Sequence, residues 1–353
     1  MLTAAGPVQL QRVYFVCRQC KLGAHPLDGR LGVTGSVSPQ AQRLLCLAGA
    51  SWSFDGGAKN LREFCGLSVS DNWIREVCQE QAARMEAWQK TAGEARLPFR
   101  QAQGDVEFTT DGTSVNTWAG WREMRLGIFS KRLRGEPASA ANWDHRPLPA
   151  PHVRVAFAAI ENSEQFGTRW GQWASRLGVH DTTQLTVLAD GAAWIWEQAN
   201  MHFAGAMGVL DIYHGLEHVA QTAHALYREG AAEAEEWLTA GRTALLGGGW
   251  QAIRDHITQT QRRVRDTSQR ESLESLREYL GKHNDHLHYP ERLTEGRSIG
   301  SGQVEGACKH MIGRRLKQTG ARWQLSRVNR MATLCAILYS DHWDAYWAAP
   351  EPP

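Results

Sequence analysis

Apolar residues recur along this chain in two rhythms, and the change from one to the other marks its organisation. Residues 38 to 100 follow a helical period, first in "SPQAQRLLCLAGA" and then in "GGAKNLREFCGLSVSDNWIREVCQEQAARMEAW". In the second segment a helix bearing Leu61 and Phe64 breaks at Gly66. Ser70 is placed to cap a further helix whose Ile74, Val77 and Cys78 face inward. Helix, Gly-containing turn and helix is the outline of a helix-turn-helix, although any αα-hairpin shares it.

From about residue 104 the period shortens to two. "DVEFTTDGTSVNTW", "EMRLGIFSKRL" and "HVRVAFAAIE" predict three successive strands. "NSEQFGTRWGQWASRLG" then predicts an amphipathic helix, with Phe166, Trp170, Trp173 and Leu177 at i, i+4, i+7 and i+11. A strand ending at Asp190, a helix in "AAWIWEQANMHF" and a short strand in "MGVLDIYH" complete the order β-β-β-α-β-α-β. Three strands followed by alternation suits an α/β fold with a mixed sheet of the ribonuclease-H-like kind. A doubly wound dinucleotide fold would alternate from the start.

Beyond this the pattern is helical again, anchored by Leu216, Val219, Ala220, Trp237, Leu238, Trp250, Ile253 and Ile257. "LLGGGWQ" interrupts it and "GKHNDHLHYPERL" ends it with a Pro. In "GSGQVEGACKHMIGRRL", Val304, Cys308, Met311 and Ile312 form a stripe that would return to the sheet. The expected division is a small strand-like segment at 1–37, a helical region at 38–100 and the first part of a core at 101–214. An all-α insertion follows at 215–295, then core helices at 296–345 and a tail at 346–353.

Composition narrows the class. A chain of 353 residues, 42% hydrophobic, can bury a large core and suits one large domain with one or two smaller ones. No segment has the roughly 18 uninterrupted apolar residues of a membrane span, and "MLTAAGPVQLQRVYF" lacks the pattern of a secretory signal, so the cytoplasm is the expected location. Seven scattered cysteines make no disulfide framework. In "VCRQCK", Cys17 and Cys20 have the spacing of a zinc knuckle, but a zinc site needs four ligands; two free thiols are the alternative.

A net charge of +2 does not announce a nucleic-acid partner, but its distribution points to one. From His310 to Leu334 there is no acidic residue, while Arg314, Arg315, Lys317, Arg322, Arg327 and Arg330 recur with Trp323 among them. A basic stripe with an interleaved aromatic suits a polyanion; a solvated helix face normally mixes both signs.

Three carboxylates draw attention by position. Asp190 ends a buried strand in "LTVLADGAAWIW", where α/β sheets place their chemistry, or else it caps the helix that follows. The first strand is expected to end in "TTDGT", so Asp111 would stand at a strand end as Asp190 does, as a site residue or as part of an Asp-Gly turn. Glu305 stands at the edge of the apolar stripe, held at the interface with the sheet or placed as a surface acid in a first turn. His283, His286 and His288 either ligate a metal or form a polar helix end.

Taken in order, Asp111, Asp190, Asp211-x-x-His214 in "DIYHGLEH", a helical insertion, and Glu305 in "GSGQVEGACKHMIGRRLKQTGARW" resemble the DDE transposases of bacterial insertion sequences. The similarity is nearest to the ISKra group and its Mutator-like relatives, and it spans nearly the whole chain. The resemblance implies a ribonuclease-H-like core in which Asp111, Asp190 and Glu305 bind Mg²⁺, with Mn²⁺ as a substitute. Asp211 and His214 would match the D-x-x-H element, with the His near the active site. Arg314, Arg315, Lys317, Arg322 and Trp323 would contact DNA. Trp250 or Trp237 would stack on a flipped base unless each serves core packing. Such enzymes carry a zinc ribbon, of which only the second half is visible here, so a truncated start or a lost zinc site is expected.

The chemistry so implied is two-metal phosphoryl transfer on double-stranded DNA, at element ends and in target DNA, by a dimer or larger assembly. Two other classes stand beside it: a nuclease or resolvase on the same fold without strand transfer, and a DNA-binding regulator without catalysis.

Overall fold

In a computed structural model the chain is described at residues 1–31, 36–179 and 184–349. Its centre is a five-stranded sheet of β1 (Asp105–Thr117), β2 (Gly120–Arg132), β3 (Val153–Ala159), β4 (Leu185–Ala189) and β5 (Met207–Leu210). The spatial order is β3-β2-β1-β4-β5. β1, β2 and β3 pair antiparallel, while β4 runs parallel to β1 and β5 parallel to β4.

The two-residue period sends alternate side chains to opposite faces. One face presents Val115, Met124, Leu126, Ile128, Ala156 and Ala158. It is covered by α1 (Pro39–Ser51), α3 (Asp71–Thr91) and a late helix described below. The second face presents Val106, Phe108, Phe129, Val155, Phe157 and Ala159. Onto it pack α4 (Ser163–Leu177), through Phe166, Trp170 and Trp173, and α5 (Ala193–His202), through Ile195. Each such fully buried large side chain contributes about 1.5–3 kcal/mol. Gly178, with φ +73, ends α4 in the left-handed turn that a residue without Cβ adopts at least cost.

The helix-turn-helix-like pair is α2 (Phe54–Cys65) and α3. Gly66 ends α2 with φ +66, and the Ser70 hydroxyl accepts the Trp73 N–H at 3.1 Å, as the sequence predicts. Ile74, Val77, Cys78, Ala82 and Met85 of α3 enter the same core as the sheet, whereas Phe64 is 77% exposed. α3 therefore spends its apolar face on the core beneath β2 and β3.

The insertion comprises α6 (Ile212–Leu226), α7 (Ala232–Arg263) and α8 (Thr267–Lys282). Val219, Trp237, Ile253, Ile257, Leu273 and Leu276 share one core with Leu188, Val209 and Leu210, so the insertion sits against the β4–β5 edge. The expected break at the Gly-rich segment is a kink at Gly249, φ +56, within α7. Pro290 lies in the first turn of a short helix, Tyr289–Thr294, and starts that element where the sequence predicts an end.

After the insertion the chain returns along β1 as α9 (Gly302–Ala307), continues through a π-helical turn, Cys308–Gly313, and closes with Arg314–Leu316. Val304, Cys308, Met311 and Ile312 are all buried, as the stripe predicts. The last long helix, α10 (Leu325–Tyr339), packs between α3 and β3. At the N terminus two short hairpins, Leu2–Thr3 with Gly6–Pro7 and Phe15–Val16 with Gly23–Ala24, fit the strand-like expectation. Among the described residues no helix is long and apolar enough to cross a membrane.

Candidate active site

β1 is longer than the sequence suggests. It runs unbroken through Asp111 and Gly112, which pair with Leu126 and Arg125, and the hairpin turns at Thr117–Gly120. The Asp-Gly turn is thus excluded, because the alternating run on both sides keeps this dipeptide extended. Asp111 instead marks where parallel pairing with β4 stops: the last such pair is Thr109 with Leu188. Two residues beyond that pair, on adjacent strands and on the same face, stand Asp111 and Asp190.

Each Asp is held by its own backbone. Asp111 Oδ1 accepts the Gly112 N–H at 2.6 Å, and the Cys308 thiol donates to Oδ2 at 3.7 Å. Asp190 Oδ1 accepts the Ala192 N–H at 2.9 Å, a bond within the turn before α5; Ala192 itself stands at the cap of that helix, which has no side-chain cap, so the capping role expected as an alternative for Asp190 is not found. The Trp196 indole N–H donates to the Asp190 carbonyl at 3.1 Å and fixes the turn into α5. Burial raises the Asp111 pKa and the Asp190 charge adds to the rise; the Gly112 N–H, the Cys308 thiol and His214 oppose it. The thiol of Cys308 is itself pushed up to about 12, by burial first and then by Asp111.

Glu305 does not join the pair. Its side chain is 63% exposed and meets Lys309 at 2.5 Å across one turn. It lies on α9, three residues before Cys308, so a single turn separates it from the thiol that touches Asp111. Among the described residues no three His, Cys, Asp or Glu side chains gather closely enough to hold a metal ion.

Asp211 and His214 separate in role. Asp211 is 3% exposed; its Oδ1 accepts the N–H groups of Tyr213 and His214, and its Oδ2 accepts the N–H and hydroxyl of Ser301. It therefore ties the start of α6 to the segment leading into α9. His214 is exposed, 3.9 Å from Glu217, and close enough to Asp111 for its charge to favour that carboxylate.

Sequence reasoning missed what the insertion brings. A Cβ on Gly191 would meet the Tyr279 hydroxyl at 2.5 Å and His283 Nε2 at 3.0 Å, so α8 presses directly on the turn after Asp190. Tyr279 is pushed up to about 12 by burial, with the charges of Asp190 and Asp211 adding to it. The His218 ring stacks on Tyr279 at 3.7 Å and that of His286 on Trp196 at 3.9 Å. The available signal was the i, i+4 spacing of Tyr279 and His283, which puts both on one face. His283 and His286 take ring contacts beside the turn, and with His288 they belong to no metal cluster among the described residues.

The basic segment divides as well. Arg314, Lys317 and Arg322 are exposed, and Lys317 donates to the Thr113 hydroxyl on β1. Arg315 and Trp323 depart from the expected surface stripe. Arg315 is 3% exposed, bonded to the Gly49 carbonyl, and the Trp323 indole is buried with its N–H on the Leu316 carbonyl at 3.0 Å. Their physical reason is position: Arg315 continues the inward stripe of Met311 and Ile312. Trp237 is a core residue bonded to Thr260 at 2.9 Å, and Trp250 packs half-buried against Gly281.

Cys17 and Cys20 sit exposed at the turn of the second small hairpin, where Lys21 adopts φ +59. Hydrogen bonds from the backbone of Cys20 and Gln19 hold the Cys17 pKa below the ordinary thiol value. The turn thus favours thiolate, but it supplies two ligands of four. No family model and no curated protein matches the chain.

Proposed function

We propose that this chain is a metal-dependent phosphoryl transferase acting on DNA, and specifically a DDE transposase with a ribonuclease-H-like core. One observation carries the reading: Asp111 and Asp190 come from neighbouring parallel strands at the point where their pairing ends, on one face of a sheet ordered β3-β2-β1-β4-β5. That strand order agrees with a ribonuclease-H-like core, in which an all-α insertion precedes the returning helix.

The residues fit a divalent cation in part. The Asp190 charge adds to the cost of ionising Asp111, and no Lys or Arg is among the groups that shift Asp111. A hard cation with oxygen ligands answers that need. Asp111 and Asp190 would hold it, and it would supply stabilisation of charge on the attacking and leaving oxygens of a phosphodiester. The chain's own contribution is orientation. Gly112 and Ala192 fix the two carboxylates, Trp196 holds the Asp190 backbone carbonyl, Asp211 holds the approach of α9, and Lys317 and Arg314 offer cations to a DNA backbone beyond Asp111.

Glu305 favours a second reading. As placed, it is bound to Lys309 and turned to solvent, which suits a DNA-binding protein without catalysis. One assay separates the readings. Duplex DNA is incubated with Mg²⁺ or Mn²⁺ and the chain, its Asp190→Asn variant or its Glu305→Gln variant, with a 3′-hydroxyl strand supplied for joining. Cleavage and joining lost in both variants support the transposase; cleavage without joining indicates a nuclease. DNA binding without metal-dependent cleavage in any of the three removes the catalytic reading.

A further inference from the structure

A second site lies away from the carboxylates. A cavity of about 350 Å³ opens between α2, α3, the tip of the β1–β2 hairpin and the segment after the π-helical turn. Arg75, Gln79, Trp118, Arg315, Arg322 and Arg327 line it, and no Asp or Glu does. The hairpin tip is fastened to this wall: the Trp118 N–H donates to the Trp323 carbonyl at 2.9 Å, and the Trp323 N–H to the Asn116 carbonyl at 3.1 Å.

Two buried groups in the cavity wall lack partners. Arg315 donates through Nε to Gly49 and lies over the rings of Phe54 and Trp323, at 4.6 and 5.0 Å, yet its buried Nη2 has no acceptor. A buried guanidinium without a carboxylate is costly unless an anion comes to it. Gln79 donates through Nε2 to the Arg327 carbonyl at 3.1 Å, which identifies the remaining amide atom as Oε1, a buried acceptor without a donor. Arg75, Arg322 and Arg327 form no ion pair among the described residues. Trp118, 66% exposed, offers a free aromatic face at the rim.

We propose that this cavity holds one unpaired nucleotide of a DNA strand. Its base stacks on Trp118, an N–H of its Watson–Crick edge donates to Gln79 Oε1, and its phosphates meet Arg75, Arg315, Arg322 and Arg327. The anion answers the guanidinium groups, and the aromatic face suits any base. Every base carries an N–H on its Watson–Crick edge, which a duplex already uses, so the occupant is unpaired. Seven residues of extended strand separate Asp111 from Trp118, about 24 Å, so the nucleotide lies roughly seven base steps from the carboxylates. The inference rests on the nucleic-acid reading above, but through different residues and without catalysis.

The test is fluorescence anisotropy in EDTA with a labelled mixed-sequence single-stranded decamer and a labelled 20-base-pair duplex. Trp118→Ala and Arg322→Ala, both at exposed positions, are compared with the unaltered chain, and thermal unfolding checks that they fold. For Trp118→Ala the expected result is a roughly five- to 150-fold loss of single-strand affinity, with duplex affinity held. For Arg322→Ala the salt dependence of single-strand binding should fall by about 0.7 in slope. Single-strand affinity unchanged in both variants, or an equal loss on duplex, overturns the proposal. Metal-dependent cleavage sensitive to Asp190→Asn is read separately. Its absence beside an intact Trp118 effect defeats the transposase alone, and its presence without that effect defeats the nucleotide site alone.

Discussion

Asp111 is a residue whose placement opposes the stability of the fold. Its carboxyl is part-buried beside Asp190, so its pKa in the folded chain lies above its unfolded value. The folded state then holds the proton more firmly, and stability falls as pH rises through the carboxylate range. Asp111→Asn is therefore expected to raise Tm at pH 7 in EDTA by about 2 °C, a gain that shrinks as pH falls into the carboxylate range and Asp111 takes up its proton. Differential scanning calorimetry at pH 7 and pH 4 checks it, and Mn²⁺ should stabilise the unaltered chain but not the variant. Gly191 gives a second prediction. A methyl there collides with Tyr279 and His283, so Gly191→Ala should destabilise by about 1–3 kcal/mol in urea titration. Adding Tyr279→Phe, which removes the nearest colliding atom, should recover part of the loss. Asp190 was legible because it directly follows a buried strand, Leu185–Ala189; for Asp111 the expected strand end is absent, and only the alternation that sets its face was readable. Tyr279 and His283 were not, since nothing local records that a helix about ninety residues later closes on Gly191.

At the scale of elements, Asp211 joins two that are distant in sequence. One carboxylate caps α6 and also receives both Ser301 donors, so the insertion's first helix and the approach to α9 share an anchor. Asp211→Ala leaves four donors unmet and should cost about 3 kcal/mol. Urea unfolding should show that loss. Hydrogen exchange should show it concentrated at residues 212–215 and 299–303; a loss spread evenly over the molecule would contradict the anchor. The element order and the stripe through Val304 and Ile312 were readable from periodicity. The burial of Arg315 was readable too, since it stands three residues beyond Ile312, but its charge drew it into the basic stripe. The length of β1 was not, because a Gly after Asp is as compatible with a turn as with a strand until β2 is seen pairing along it.

The whole molecule carries a set of buried and half-buried histidines whose pKa values are lowered. Burial lowers the pKa of His286 and His342 to about 4, and those of His256 and His283 are lowered for the same reason. His342 accepts from Gln89 at 3.3 Å and so is bound as the neutral ring. For His286 and His342 the unfolded chain takes up the proton near 6.5 and the folded chain only near 4, so stability is lost as pH falls across that interval. Urea midpoints at pH 7.5, 6 and 5 should decline in that order, and His342→Gln should flatten the slope. The same breadth of assembly governs when the candidate site can exist at all. Asp111 meets Cys308 across 197 residues, and the core that seats α1 and α3 waits for α10. A chain emerging from the ribosome therefore carries Asp111 and Asp190 long before it carries the helix that lies against them. Contacts of such long sequence separation form slowly. If the chain cuts DNA, its nascent forms that stop short of Cys308 and α10 lack an assembled centre, and the order of synthesis itself withholds the activity until those helices have been made.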